Sequence, residues 1–267
     1  MRKLALSDEI LLKVDKAARY IGGEVNSVMK DKNEVEIRFA MCFPDVYEIG
    51  MSNLGMMILY NMFNQREDVW CERLFSPWPD LDKVMREKKI PLFALESQEP
   101  IRDFDFLGIT IGYEMCYTNI LQVLDLSGIP LKSADRGEDF PIVIGGGACA
   151  YNPEPLAPFF DMFYIGEGET VYDALFDAYK ANKKAGGSRK DFLLAAAKIP
   201  GIYVPSLYEV TYKEDGTIAS FAPTADGVPE KVQKQLIIDM EKEYRAVEAP
   251  VVPHIKATQD RVTLEIQ

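Results

Sequence analysis

The chain has 267 residues, 48% of them hydrophobic, with 30 Lys and Arg against 42 Asp and Glu, a net charge of −12. That length suits one large domain with appendages. The acidic balance excludes a surface built for nucleic acid or anionic membrane, which needs clustered cations. No apolar run reaches the roughly 18–20 residues that cross a bilayer, and the start is not a signal peptide, so a cytoplasmic chain is expected.

Residues 7–20 carry helical periodicity through Ile10, Leu11, Val14, Ala17 and Ala18 behind Ser7 as a cap. Residues 35–43 (VEIRFAMCF) read as the first strand, 53–63 as a Met- and Leu-rich helix, and 69–75 (VWCERLF) as the second strand. A helix is predicted over 79–88, a third strand over 105–112, and a helix over 116–127 closed by Gly128. The fourth strand is PIVIGGG, 141–147, and the fifth DMFYIG, 161–166, with a helix from 168 to 183. Buried strands alternating with helices predict an α/β fold: a doubly wound five-stranded parallel sheet of flavodoxin-like or Rossmann-like type. After Ala185 the pattern changes. A helix, then a hairpin turning at Glu214-Asp215-Gly216, lead into a Pro- and charge-rich linker, and RVTLEIQ (261–267) alternates like a new strand. The expected divisions are 1–34, 35–185, 186–225, 226–259 and 260–267. A first strand of a further domain at the end implies that the chain is the front of a longer protein.

Cys42, Cys71, Cys116 and Cys149 are scattered without a C-x-x-C, the pattern of isolated reduced thiols. The single histidine, His254, leaves little scope for imidazole chemistry. No metal site within the chain is expected.

Ligands of open parallel sheets lie at the carboxyl ends of the strands. Four loops converge there if the fold is right. The first holds Pro44, Asp45, Tyr47, Gly50 and Asn53; the second, Tyr113, Glu114, Tyr117 and Asn119. The third holds Gly145, Gly146, Gly147, Asn152 and Glu154; the fourth, Gly166, Glu167, Gly168 and Glu169. Glycines let a ligand approach the backbone closely. Two carboxylates in the GEGE turn disfavour phosphate and favour hydroxyl or amide donors, or serve the start of the next helix. The methionines 51, 56, 57 and 62 read as core filling, and Trp78-Pro79-Asp80 as structural.

GGGACAYNPEPLAPFFDMFYIGEGE resembles the GG…NPEPL…D…GEGE signature of B12-binding-domain radical SAM proteins. FPDVYEIGMSNLG, LFSPWPD, LESQEPIRDFD, YTNILQVLDLSGIPL and IPGIYVP resemble one uncharacterised branch of that family, and RVTLEIQ resembles the strand before its C-x-x-x-C-x-x-C loop. The resemblance implies a cobalamin-type Rossmann domain ahead of a radical SAM barrel, which would carry the [4Fe–4S] cluster and S-adenosylmethionine outside this chain. It implies that the chain's own barrel is its partner, that the substrate is unknown, and that this piece performs no catalysis alone. It places the Gly145–Gly147 loop along the nucleotide tail of a cobalamin and GEGE on the far side. The family's D-x-H-x-x-G stands here as Asp45-Val46-Tyr47-Glu48-Ile49-Gly50, with tyrosine at the histidine. Cobalamin, if bound, receives no imidazole from the protein. The alternatives are a degenerate docking scaffold without a small ligand, and, least favoured, a nucleotide-binding enzyme with a metal on Asp161, Glu167 and Glu169.

Overall fold

A computed structural model describes residues 3–239, 247 and 249–252. The strand expected at 261–267 and His254 lie outside the described residues. The strands of the main sheet are β1 (Ile37–Phe43), β2 (Val69–Phe75), β3 (Phe106–Thr110), β4 (Ile142–Gly146), β5 (Met162–Tyr164) and β6 (Ile202–Tyr203). Their order is β2-β1-β3-β4-β5-β6; β1 to β5 run parallel and β6 is antiparallel to β5. The sheet therefore has six strands where five were expected. The sixth, two residues between Gly201 and Pro205, is too short to show a period, and it covers the edge that β5 would otherwise expose.

Among the described residues α1 (Asp8–Leu11) precedes the sheet, and the strands are connected by α2 (Tyr47–Gly50), α3 (Leu54–Gln65), α4 (Pro79–Lys88), α5 (Tyr117–Leu126), α6 (Tyr172–Lys184) and α7 (Arg189–Ala196). The strand period of two sorts the core into two layers. Ile37, Phe39, Met41 and Phe43 of β1 pack with α3, α6 and α7, whereas Ala40 and Cys42 pack with α4 and α5. The same alternation separates Ile142 and Ile144 from Val143, and Met162 and Tyr164 from Phe163. This is the doubly wound arrangement, with its switch point between β1 and β3, where the chain turns to opposite sides of the sheet. Phe39, Phe63 and Tyr172 form an aromatic centre, with rings 5.0 Å (Phe39–Phe63) and 4.6 Å (Phe63–Tyr172) apart. Met51, Met56 and Met57 are buried as core filling. Pro79 opens α4, and the Asp80 carboxylate accepts from the backbone N–H of Asp15 at 2.6 Å.

Two expected helices differ. The stretch 7–20 divides into α1 and a 3₁₀ turn, Ala17–Tyr20, parted at Lys16, whose φ is +48°. Side chains elsewhere set this path: Gln98 and Asp80 accept from the backbone of Ala5 and Asp15, and Glu48 holds Arg19. The helix expected from residue 168 begins at Tyr172. Glu167 and Glu169 therefore stand ahead of the first turn, and Asp173 is its acid. The hairpin forms as expected, with β7 (Tyr208–Tyr212) and β8 (Ile218–Pro223) antiparallel around Gly216 at φ +81°. No helix among the described residues is long and apolar enough to cross a membrane.

Asp68 ties three elements together. Its carboxylate accepts from Arg66 at 2.9 Å and from Lys180 of α6. The Arg66 hydrogen bonds hold its carboxyl well below the usual range, against burial. A depressed folded pKa stabilises the protein above the unfolded value, roughly 3.9, and that stability is lost as pH falls through the folded value. Asp68→Asn should therefore lower Tm at pH 7 and shrink the gap to wild type in acid, below about pH 3. An equal deficit at both pH values would contradict this.

Candidate functional site

A cavity of about 410 Å³ opens at the carboxyl edge of the sheet, on the face covered by α3 and α6. Phe39 and Met41 of β1, Gly108 to Thr110 of β3, and Ile144 and Gly146 of β4 line it from the sheet. Asn53, Gly55 and Leu59 line it from α3, and Tyr164, Gly166, Gly168, Glu169 and Tyr172 from the segment leading into α6. The site sits where a doubly wound sheet takes its ligands.

Glycines make the floor. A Cβ built on Gly112 or Gly146 would meet nothing within 4 Å, so both face open space. Gly147 adopts φ +101°, a conformation that side chains disfavour, and a Cβ there would lie 3.0 Å from the carbonyl of Ile111. Asn53 caps α3, its side chain accepting from the N–H of Met56 at 2.9 Å. Tyr164 donates to the carbonyl of Glu167 and lies beside Thr170 Oγ1 at 3.2 Å, which fixes the turn. Among the described residues the cavity thus offers an apolar wall, a backbone floor and one carboxylate, with no lysine or arginine in its lining. It suits a flat, uncharged or donor-rich group better than a bare phosphate.

The structure sorts the expected site residues into four groups. Asn53, Gly146, Gly147, Gly166, Gly168 and Glu169 line the cavity together. Pro44, Asp45, Tyr113 and Asn119 do not line it but bind one another: Tyr113 Oη donates to Asp45, and Asn119 Nδ2 to the Pro44 carbonyl at 2.9 Å. Glu114 and Asn152 are exposed outside it, and Tyr117 is half-buried at the start of α5. The rest hold the fold. A Cβ on Gly50 would strike Phe75 at 2.3 Å, and one on Gly145 would strike Phe163 at 2.8 Å. Glu154 accepts from Tyr203 of β6 at 2.6 Å. Tyr47 donates to Glu24 at 2.9 Å and packs on Phe75. Glu167 binds backbone, as described below. Asp161 is enclosed by Arg136 and Arg189 at 2.9 and 2.7 Å, away from the GEGE turn. Among the described residues no cluster of ligating side chains could hold a metal ion.

Sequence reasoning missed Phe39, Met41, Leu59, Gly108, Gly112 and Tyr172 of the lining. Gly108 and Gly112 carried a signal, since glycine inside or ending a strand often marks a close approach. The apolar residues carried none, because a cavity wall and a core have the same composition.

The bond from Tyr113 to Asp45 joins the loops after β1 and β3 and pushes the tyrosine pKa up to about 12. Tyr113→Phe should cost about 0.5–1.5 kcal/mol and speed amide exchange at residues 45–46 and 113–116. Unchanged exchange there would show that the loops hold without it.

These features define a doubly wound α/β domain with a glycine-floored cavity at the carboxyl edge of its sheet. Residues 55–205 match the family described as radical SAM proteins, N-terminal, and the chain belongs to it. Over 131 residues it is 26% identical to the uncharacterized protein MJ0966 of Methanocaldococcus jannaschii, covering 49% of this chain and 24% of that protein. The chain thus spans about a quarter of the length of the curated relative it matches. It is similar to the cobalamin-dependent S-adenosylmethionine radical enzyme OxsB, whose structure holds aqua-cobalamin and S-adenosylmethionine, at 14% identity and TM-score 0.41 over 81% of this chain and 27% of that one. The radical S-adenosylmethionine methyltransferase TsrM from Kitasatospora setae aligns at 16% identity and TM-score 0.37 over 73% of this chain and 36% of that one. At such scores neither likeness places a ligand in this chain.

Proposed function

We propose that this chain is the cofactor-binding, substrate-presenting N-terminal module of a radical SAM enzyme, and that its cavity takes part of a cobalamin. The observation that carries the reading is the glycine floor: Gly112 and Gly146 leave open, at the switch point, the space that side chains would fill. The family membership supports the setting. The residues fit such a group. Phe39, Leu59 and Tyr172 would pack on a flat apolar portion, and Gly146 and Gly147 would admit it against the backbone. Asn53 and Glu169 would meet hydroxyl or amide donors. Tyr47, at the position of the family's histidine, donates to Glu24 outside the cavity, so it offers cobalt nothing. Bound cobalamin would supply alkyl-transfer or radical chemistry, and this chain would hold and orient it. The cluster and S-adenosylmethionine would belong to the barrel, the chain's partner, which also acts on the substrate.

The test is a hydroxocobalamin titration of the chain by equilibrium dialysis, with the fluorescence of Trp70 and Trp78 in parallel. Saturable binding at micromolar concentration is expected. Absence of binding up to about 1 mM, a level that marks negligible affinity, would remove cobalamin and leave a docking scaffold. Association with the separately expressed barrel would then be the property to measure.

A further inference from the structure

The GEGE turn has two sides. One lines the cavity through Gly166, Gly168 and Glu169. The other is bound by a later stretch of the chain, residues 234–237, which lies along it as a strap. Gln235 N–H donates to the Ile165 carbonyl at 3.0 Å, and Glu167 N–H donates to the Gln235 carbonyl at 3.1 Å, a parallel bridge with Gly166 at its centre. The Glu167 carboxylate accepts from Ile237 N–H. Two glycines make room. A Cβ on Gly166, at φ +134°, would lie 2.3 Å from the Gln235 carbonyl, and one on Gly201, at φ +84°, 2.7 Å from Gln235 Cγ. Lys234 extends over the Tyr151 ring at 5.0 Å. Glu167 is thus spent on the protein's own backbone rather than on a ligand.

We infer that Glu167 is a positioning residue: through the strap it fixes the turn that forms one cavity wall, so that strap docking and ligand binding reinforce each other. This rests on the cofactor reading for the identity of the ligand. The physical ground is that one short turn carries both sets of contacts, and its three hydrogen bonds to the strap act on a segment with no regular structure of its own. Any ligand that requires the turn's present shape must favour the docked strap, and the docked strap must favour that ligand by the same factor.

Limited trypsin cleavage after Lys231 and Lys234 reads strap docking directly, and hydroxocobalamin dialysis reads the cavity. Glu167→Ala should raise cleavage of the ligand-free chain about tenfold, the effect of losing a charge-assisted hydrogen bond. Gln235→Pro, which removes the Gln235 donor without touching a lining residue and makes the Lys234 bond itself resistant to trypsin, should do the same at Lys231. Glu167→Gln keeps an acceptor and should fall between. Hydroxocobalamin should protect the unaltered chain from cleavage, and both disruptive variants should bind it more weakly, by the factor by which their docked fraction falls. Cleavage unchanged in Glu167→Ala and Gln235→Pro would overturn the latch. Freed straps with unaltered hydroxocobalamin affinity would overturn the coupling. If the unaltered chain binds no hydroxocobalamin, the cofactor reading fails, and cleavage alone still judges the latch.

Discussion

Arg73→Ala is expected to destabilise the protein by about 3–5 kcal/mol. The Arg73 side chain is wholly inaccessible, although it lies on β2 at the edge of the sheet. Its guanidinium donates to Glu96 at 2.6 Å and to both oxygens of Glu24 at 2.8 and 2.7 Å. Tyr60 Oη donates to Glu96 at 3.0 Å and lies beneath the guanidinium. Burial pushes the Glu24 carboxyl up, but the bonds and charge of Arg73 outweigh it and hold that carboxyl below its usual range. Removing the arginine leaves buried carboxylates without their cation, which costs far more than the pair contributed. The backbone of residue 73 also holds this segment, its N–H donating to Glu96 at 2.6 Å and its carbonyl accepting from Leu95 at 2.9 Å, so Glu96 stays beside the space that the guanidinium leaves. Urea unfolding followed by circular dichroism measures the effect. Arg73→Met with Glu96→Gln should recover part of the loss, as expected of a coupled network. A loss below about 1 kcal/mol would mean that the carboxylates neutralise at little cost.

Neighbouring glycines should respond in opposite ways. Gly145→Ala places a methyl 2.8 Å from Phe163, 2.9 Å from Ile111 and 3.0 Å from Phe160, all core atoms. Overpacking of this kind costs about 1–3 kcal/mol. Gly146→Val meets nothing within 4 Å of its Cβ and suits a strand end, so stability should hold or rise slightly. It fills the cavity floor, and hydroxocobalamin affinity should fall about a hundredfold, close to the 2.7 kcal/mol that two decades represent. A Gly146→Val protein that binds hydroxocobalamin as wild type does would show that the cavity is not the site. One that unfolds would show that the open space is not available to a side chain.

Much of the fold was legible because the signals are local. Residues 69–75 and 79–88 form the predicted strand and helix to the residue, since a β-rich run and a Pro-opened amphipathic segment are set by immediate neighbours. Glu72 and Arg73 were not legible as core. Adjacent charged residues in a strand point to opposite faces and give no sign of burial, yet both are fully buried. Partners 23 to 49 residues away in sequence complete them, with Arg38 donating to Glu72 at 2.6 Å. The four loops after the strands were legible as a group, because glycine and polar clusters mark strand ends. Their separate uses were not.

By itself the sequence determined the alternation of strands and helices, the two-faced burial of β1, and the position of the polar loops at one edge, because each follows from the period of side chains along a backbone. Only the tertiary structure decided that Gly145 serves packing while Gly146 floors a cavity, that Asp45 and Tyr113 bind each other, and that Glu167 holds residue 237. These outcomes depend on which distant segments meet, and a distance between segments is not written in the spacing of residues within either.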